Sequence, residues 1–163
     1  MRIVRDGMRT ITDLIAPVML RFLQLWLPSR SKSDSGALGE RFAAEWLRQK
    51  RGFAVVVENW RSPRDRRQEI DLVCRDEGVL VFVEVKTRSA GALVPGYHAV
   101  DQRKKRVLRL AIESYLAGLR EKPVTFRFDV VEVSFPPAGK TASAEPEVLH
   151  FENVPLFSKY FRS

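Results

Sequence analysis

Cysteine and histidine are scarce in this chain of 163 residues, which contains one cysteine and two histidines. A single cysteine, Cys74, excludes an internal disulfide framework. Its apolar surroundings predict a small core residue, and this cysteine usage fits a reducing compartment. Neither His98 nor His150 belongs to a cluster of metal-ligand type, so we interpret both as ordinary structural residues.

The sequence also lacks an uninterrupted apolar run long enough to span a bilayer. Near its start, Asp13 and Arg21 interrupt the apolar segment ITDLIAPVMLRFLQLWLP, and no clear small-residue cleavage site follows. We predict an amphipathic helix over residues 1–27 that packs on the domain, on a partner or on a membrane surface. A polar linker over 28–35 follows, and a breaker-rich stretch opens a C-terminal tail over 135–163.

Acidic residues are outnumbered: 20 Asp and Glu stand against 28 Lys and Arg, which gives a net charge of +8. Such an excess favours a polyanionic partner, with nucleic acid first and an anionic membrane surface second. The alternative is a basic surface that serves only solubility, and charge alone does not distinguish the two.

Hydrophobic periodicity changes in a definite order between residues 36 and 134. Leu38, Phe42 and Leu47 recur at helical spacing, and the segments FAVVVEN, EIDLVCR and VLVFVEVKTR then follow as three strands. A second helix over about 100–119 and a last strand, VTFRFDVVEV, complete the pattern. The order α-β-β-β-α-β predicts an α/β domain around a central mixed β-sheet.

Two carboxylates fall within the predicted hairpin of the second and third strands. If residues 77–78 form a two-residue turn, the register places Asp71 directly opposite Glu84, with Lys86 on the same face. Facing carboxylates repel, and a hard divalent cation such as Mg²⁺ or Mn²⁺ would reverse the sign of that interaction. The alternative is a structural salt bridge between Lys86 and Glu69, which leaves both acids unexplained.

Five segments in order resemble the YraN family of bacterial proteins predicted to be endonucleases: GALGERFAAEWL, QEIDLV, FVEVKTR, AVDQRKKRVL and RFDVVEV. That family is distantly similar to archaeal Holliday junction resolvases and has the restriction-endonuclease-like PD-(D/E)XK fold. The resemblance covers about residues 36–134. The chain departs from the family pattern at Gln68, where glycine is usual, and at His98, where an acidic residue is usual.

The resemblance implies the roles of four side chains. The nuclease signature falls on Asp71, Glu84 and Lys86, with Glu40 on the first helix as a further acid. Asp71, Glu84 and Glu40 would hold Mg²⁺ or Mn²⁺, and Lys86 would orient or deprotonate the attacking water or stabilise the transition state.

Basic side chains flank these strands and begin the second helix. We predict that eight of them contact a nucleic-acid backbone: Arg61, Arg64, Arg66, Arg67, Arg88, Arg103, Lys104 and Lys105. The alternative is a solvated basic face. Trp60, beside the arginines, either stacks on an unpaired base or anchors the core.

The leading hypothesis is a Mg²⁺-dependent endodeoxyribonuclease. It would hydrolyse phosphodiester bonds of structured or branched DNA in repair or recombination, in the cytoplasm, and a homodimer would suit a two-fold junction. The main alternative is a non-catalytic DNA- or RNA-binding module with the same fold. A third hypothesis is a protein that docks to a partner or membrane surface through residues 1–27.

Overall fold

The computed structural model describes residues 2–5, 32–89, 102–136 and 145–157. Two helices and six strands lie in these ranges: β1 (Arg2–Arg5), α1 (Lys32–Arg51), β2 (Ala54–Arg61), β3 (Glu69–Asp76), β4 (Val79–Ser89), α2 (Gln102–Gly118), β5 (Phe126–Phe135) and β6 (Glu147–Glu152). From α1 to β5 the order is the predicted α-β-β-β-α-β.

The strands form one mixed sheet in the order β1-β6-β5-β4-β3-β2. Only β4 and β5 are paired in parallel among the described strands, and α2 lies between them in the chain. A parallel pair needs such a crossover, because the chain must return to the same end of the sheet. The predicted α/β class with a central mixed sheet is therefore confirmed.

The hairpin of β3 and β4 has the predicted turn. Glu77 and Gly78 have φ values of 46° and 94°, and positive φ at both central residues is what a type I′ turn requires. The ladder runs from Asp76 opposite Val79 to Leu72 opposite Val83. These pairs confirm the predicted register, and the ladder ends one pair short of Asp71 and Glu84.

The sheet separates two apolar cores, and each helix contributes to one of them. Leu108, Ala111 and Ile112 of α2 pack with Leu80 and Phe82 of β4. Ala43, Ala44 and Leu47 of α1 pack with Val81, Val83 and Val85 of β4. These valines alternate along the strand with Leu80 and Phe82. Because side chains of a strand alternate between faces, Glu84 and Lys86 lie on the α2 side.

The two ends of the chain also contribute strands. Residues 2–5, within the segment predicted as an amphipathic helix, instead pair with β6 as an edge strand. The pairing partner lies at the far end of the chain, and helical periodicity over residues 1–27 carries no signal of it. Helix α1 begins at Lys32, inside the predicted linker 28–35. Residues 6–31 lie outside the described ranges, and within those ranges no helix is long and apolar enough to cross a membrane.

Asp129 fixes β6 to the rest of the sheet. Its buried carboxylate lies 3.0 Å from Arg127 Nε and 2.9 Å from His150 Nε2, and it accepts a hydrogen bond from the Asn153 backbone N–H at 2.9 Å. Phe151 of β6 is buried in the core on the α2 side. Part of the predicted C-terminal tail is therefore integral to the sheet.

Candidate metal centre

Glu84 is a carboxylate buried in the middle of the sheet, with 2% of its surface exposed. Lys86 Nζ lies 2.8 Å and Lys104 Nζ 3.1 Å from the same oxygen, Oε1. Within the part of the chain that the structure describes, Oε2 has no hydrogen-bond partner. Burying an acceptor without a partner costs free energy. A ligand that binds this oxygen would remove that cost.

Asp71 stands beside Glu84 and is also buried. Its Oδ2 accepts a hydrogen bond from the backbone N–H of Val85 at 2.7 Å. Burial first, and then repulsion by Glu84, raise the pKa of Asp71 from 3.8 to about 7. The fold therefore keeps two carboxylates together although the charge of Glu84 disfavours ionisation of Asp71.

The salt bridge proposed as a structural alternative is replaced by two other ion pairs. Glu69 Oε2 lies 2.9 Å from Arg61, whereas the ammonium of Lys86 binds Glu84. Lys86 is thus directed at the carboxylate of Glu84.

Glu40 lies on α1 directly after Gly39, which makes a close contact with Thr87 of β4. A Cβ at Gly39 would overlap Thr87 Oγ1, so glycine permits this approach of α1 to β4. Burial and then the charge of Glu69 raise the pKa of Glu40, and Glu84 adds to the rise. A side-chain hydrogen bond with Asn59 opposes the shift.

The donor set fits a hard divalent cation. Carboxylate oxygens are the preferred ligands of Mg²⁺ and Mn²⁺, and Glu84 Oε2 is a buried acceptor that a cation would satisfy. Among the described side chains, no three acids or histidines already converge on one point at ligand distance. Glu40 would therefore have to approach Asp71 and Glu84 by a side-chain rotation.

The arginine-rich loop over residues 62–68 is held by hydrogen bonds within the loop and by one to α2. The buried Ser62 receives the backbone N–H of Arg64 on its Oγ and pairs with Ser114 of α2 at 3.1 Å. Asp65 holds Arg67 through a two-pronged contact at 3.0 Å. Arg64 and Arg66 are exposed to solvent. Arg67 is exposed as well, but its guanidinium is already paired with Asp65.

The remaining predicted nucleic-acid contacts fall into different environments. Arg61 binds Glu69, and Arg88 lies 3.1 Å from the buried carboxylate of Glu132. Arg103 is exposed and Lys105 half-buried in the first turn of α2. Trp60 packs edge-on against Tyr115 with ring centroids 5.3 Å apart, which favours the core-anchor interpretation of this residue.

Lys104 binds the buried Glu84, and the sequence did not predict this contact. The pattern placed it in a basic run that begins α2, where each lysine has the same local signal. Strand alternation groups Glu84 with Lys86 on one face of the sheet, but the helix that covers this face is set by the tertiary packing.

Comparison with known proteins identifies a family and several relatives that match this chain. Residues 39–133 match the family described as uncharacterised protein family UPF0102. A UPF0102 protein of Anaeromyxobacter dehalogenans is 41% identical over 116 residues, which cover 71% of this chain and 79% of that protein. A second, of Symbiobacterium thermophilum, is 44% identical over 106 residues, covering 64% and 86%. A third, of Chlorobaculum parvum, is 38% identical over 118 residues, covering 72% and 88%.

Proposed function

This chain belongs to the UPF0102 (YraN) family, and we propose that it is a metal-dependent endonuclease that hydrolyses phosphodiester bonds of DNA. The observation that carries the proposal is the buried pair Asp71 and Glu84: Lys86 binds one oxygen of Glu84, and the other has no hydrogen-bond partner among the described residues. The pKa values of Asp71 and Glu40 are both raised, and perturbed pKa values cluster at functional sites.

The chemistry would be divided among four side chains. Asp71 and Glu84 would hold Mg²⁺ or Mn²⁺, with Glu40 as a further acid. When bound, the ion supplies a Lewis acid that neutralises charge developing on the phosphate. Lys86, whose ammonium lies 2.8 Å from Glu84, would orient the attacking water or stabilise the same charge.

A cleavage assay tests the proposal. We expect wild-type protein to cut at least one of branched, flapped, single-stranded and duplex DNA in the presence of Mg²⁺ or Mn²⁺. Glu84→Ala and Lys86→Ala should each lower the rate by at least about a hundredfold, because each removes a group that acts on the transition state. Lys86→Ala should still bind Mn²⁺, whereas Glu84→Ala should not. Lys50→Ala, at an exposed position near the end of α1, is the control and should retain the wild-type rate.

A second candidate function is a non-catalytic nucleic-acid-binding module. It is favoured by the two ammonium groups on Glu84 Oε1, which neutralise the carboxylate without any metal ion. If the protein binds DNA but cleaves none of the four substrates and does not bind Mn²⁺, this function is established and the nuclease is excluded.

The basic surface gives a separate expectation for binding. Affinity for duplex DNA should fall steeply with salt, because each phosphate contact releases counterions. Changing Arg64 and Arg66 together to Gln should reduce the slope of log K against log salt by about two. Adding Arg67→Gln should change it less, because Asp65 already binds that guanidinium. Arg75→Gln, exposed near the hairpin turn, is the control. A slope unchanged by the double substitution would contradict this assignment.

We propose structured or branched DNA as the substrate, with RNA as the alternative ligand, and action in the cytoplasm. A homodimer would place two such sites on a two-fold junction. The assay across DNA structures, run beside a measurement of molecular mass in solution, tests substrate and assembly together.

A further inference from the structure

Lys104 extends from the first turn of α2 toward the acids Glu84, Asp71 and Glu69. Its Nζ lies 3.1 Å from Glu84 Oε1, and 40% of its side chain is exposed. Lys86, which binds the same oxygen, comes from the strand that carries Glu84, two residues further along. The two lysines therefore reach one carboxylate from different elements of the fold.

The ammonium of Lys104 interacts with every acid of the site. Burial would lower the pKa of Lys104, but Glu84, Asp71 and Glu69 outweigh it and raise that pKa above its ordinary value. In return, the charge of Lys104 works to lower the pKa values of Asp71 and Glu40. Lys104 thus lies where the fields of the carboxylates converge.

We infer that Lys104 is an internal counter-ion that occupies the cation position beside Glu84 and must withdraw before Mg²⁺ or Mn²⁺ binds there. The inference rests on the proposed metal-dependent function. A divalent ion and an ammonium compete for the same negative charge, and they repel one another across a few ångströms. Once Lys104 has withdrawn, the divalent ion would bind Glu84 Oε2, which is buried and unpartnered within the described residues.

Withdrawal is easier for Lys104 than for Lys86. Its side chain is 40% exposed against 27% for Lys86, so a rotation of the flexible stem carries its ammonium to solvent. A phosphate of the bound nucleic acid offers that ammonium a second anionic partner. Binding of nucleic acid would then free Glu84 for the metal, and by linkage the metal would favour nucleic-acid binding.

The test is calorimetric titration with Mn²⁺ at about pH 8, without nucleic acid. Lys104→Met keeps the length of the side chain and removes its charge, and should bind Mn²⁺ at least about tenfold more tightly than wild type. Lys104→Arg keeps the charge and should bind no more tightly than wild type. Arg109→Met removes one charge from an exposed position on the same helix and should stay within about twofold of wild type.

The outcomes separate this inference from the proposed function. If wild type binds Mn²⁺ and Lys104→Met binds it equally tightly, the counter-ion role is wrong while the metal-dependent function stands. The same conclusion holds if Lys104→Arg gains affinity as Lys104→Met does, because the effect would then not be one of charge. If neither wild type nor Lys104→Met binds Mn²⁺, both proposals fail.

Discussion

Asp71→Asn is expected to raise the free energy of unfolding, measured without divalent ions, by about 2–4 kcal/mol at pH 8 and by almost nothing at pH 4. The pKa of Asp71 is raised from 3.8 to about 7 by burial and by Glu84. An acid whose pKa is raised by folding contributes stability that is fully present below about pH 4. That stability is lost as the pH rises through about 7.

The substitution isolates charge from shape. The amide oxygen of asparagine can still accept the hydrogen bond that Val85 N–H donates to Asp71. Urea unfolding at the two pH values measures the effect, and Mn²⁺ at pH 8 should stabilise wild type by mass action but stabilise the variant much less. If Asp71→Asn is destabilising at both pH values and wild type does not respond to Mn²⁺, the carboxylate of Asp71 is structural.

Asp129→Ala is expected to lower the free energy of unfolding by about 3–5 kcal/mol, because Arg127 and the buried His150 share this buried carboxylate as a partner. Arg127 and His150 would each lose a contact of 2.9–3.1 Å with that carboxylate. The backbone N–H of Asn153 would lose its acceptor as well.

The matched control for this substitution is Asp76→Ala. Asp76 lies 2.9 Å from the same guanidinium of Arg127, but its side chain is 27% exposed and water can replace the contact. We expect a loss below about 1 kcal/mol for this control. Urea unfolding measures both variants, and hydrogen exchange over residues 147–152 should increase in Asp129→Ala alone. A loss of under 1 kcal/mol for Asp129→Ala would mean that β6 is held by its apolar contacts.

Much of the fold follows from local signals in the sequence. The dipeptide Glu77-Gly78 specified the turn, and that turn fixed the register of β3 against β4. Alternation along β4 then places Glu84 and Lys86 on one face of the sheet. These inferences succeed because each depends on residues that are neighbours in the chain.

The parts that could not be predicted depend on contacts between distant segments. An arginine bound to a buried acid, such as Arg88 with Glu132, has the same local pattern as one that faces solvent. The edge strand at residues 2–5 is defined by its pairing with β6, not by its own periodicity. Lys104 meets Glu84 only because a helix and a strand cross at that point.

The contact between Gly39 and Thr87 has a consequence for how this site can vary among proteins. The two positions form one steric unit, since a side chain at position 39 would need the space that Thr87 Oγ1 fills. A larger residue at 39 is tolerated only with a smaller one at 87, or with a retreat of α1 that carries Glu40 away. A shift of about 1 Å suffices to disable a catalytic geometry. Substitutions at these two positions are therefore expected to be correlated, although neither residue carries a charge.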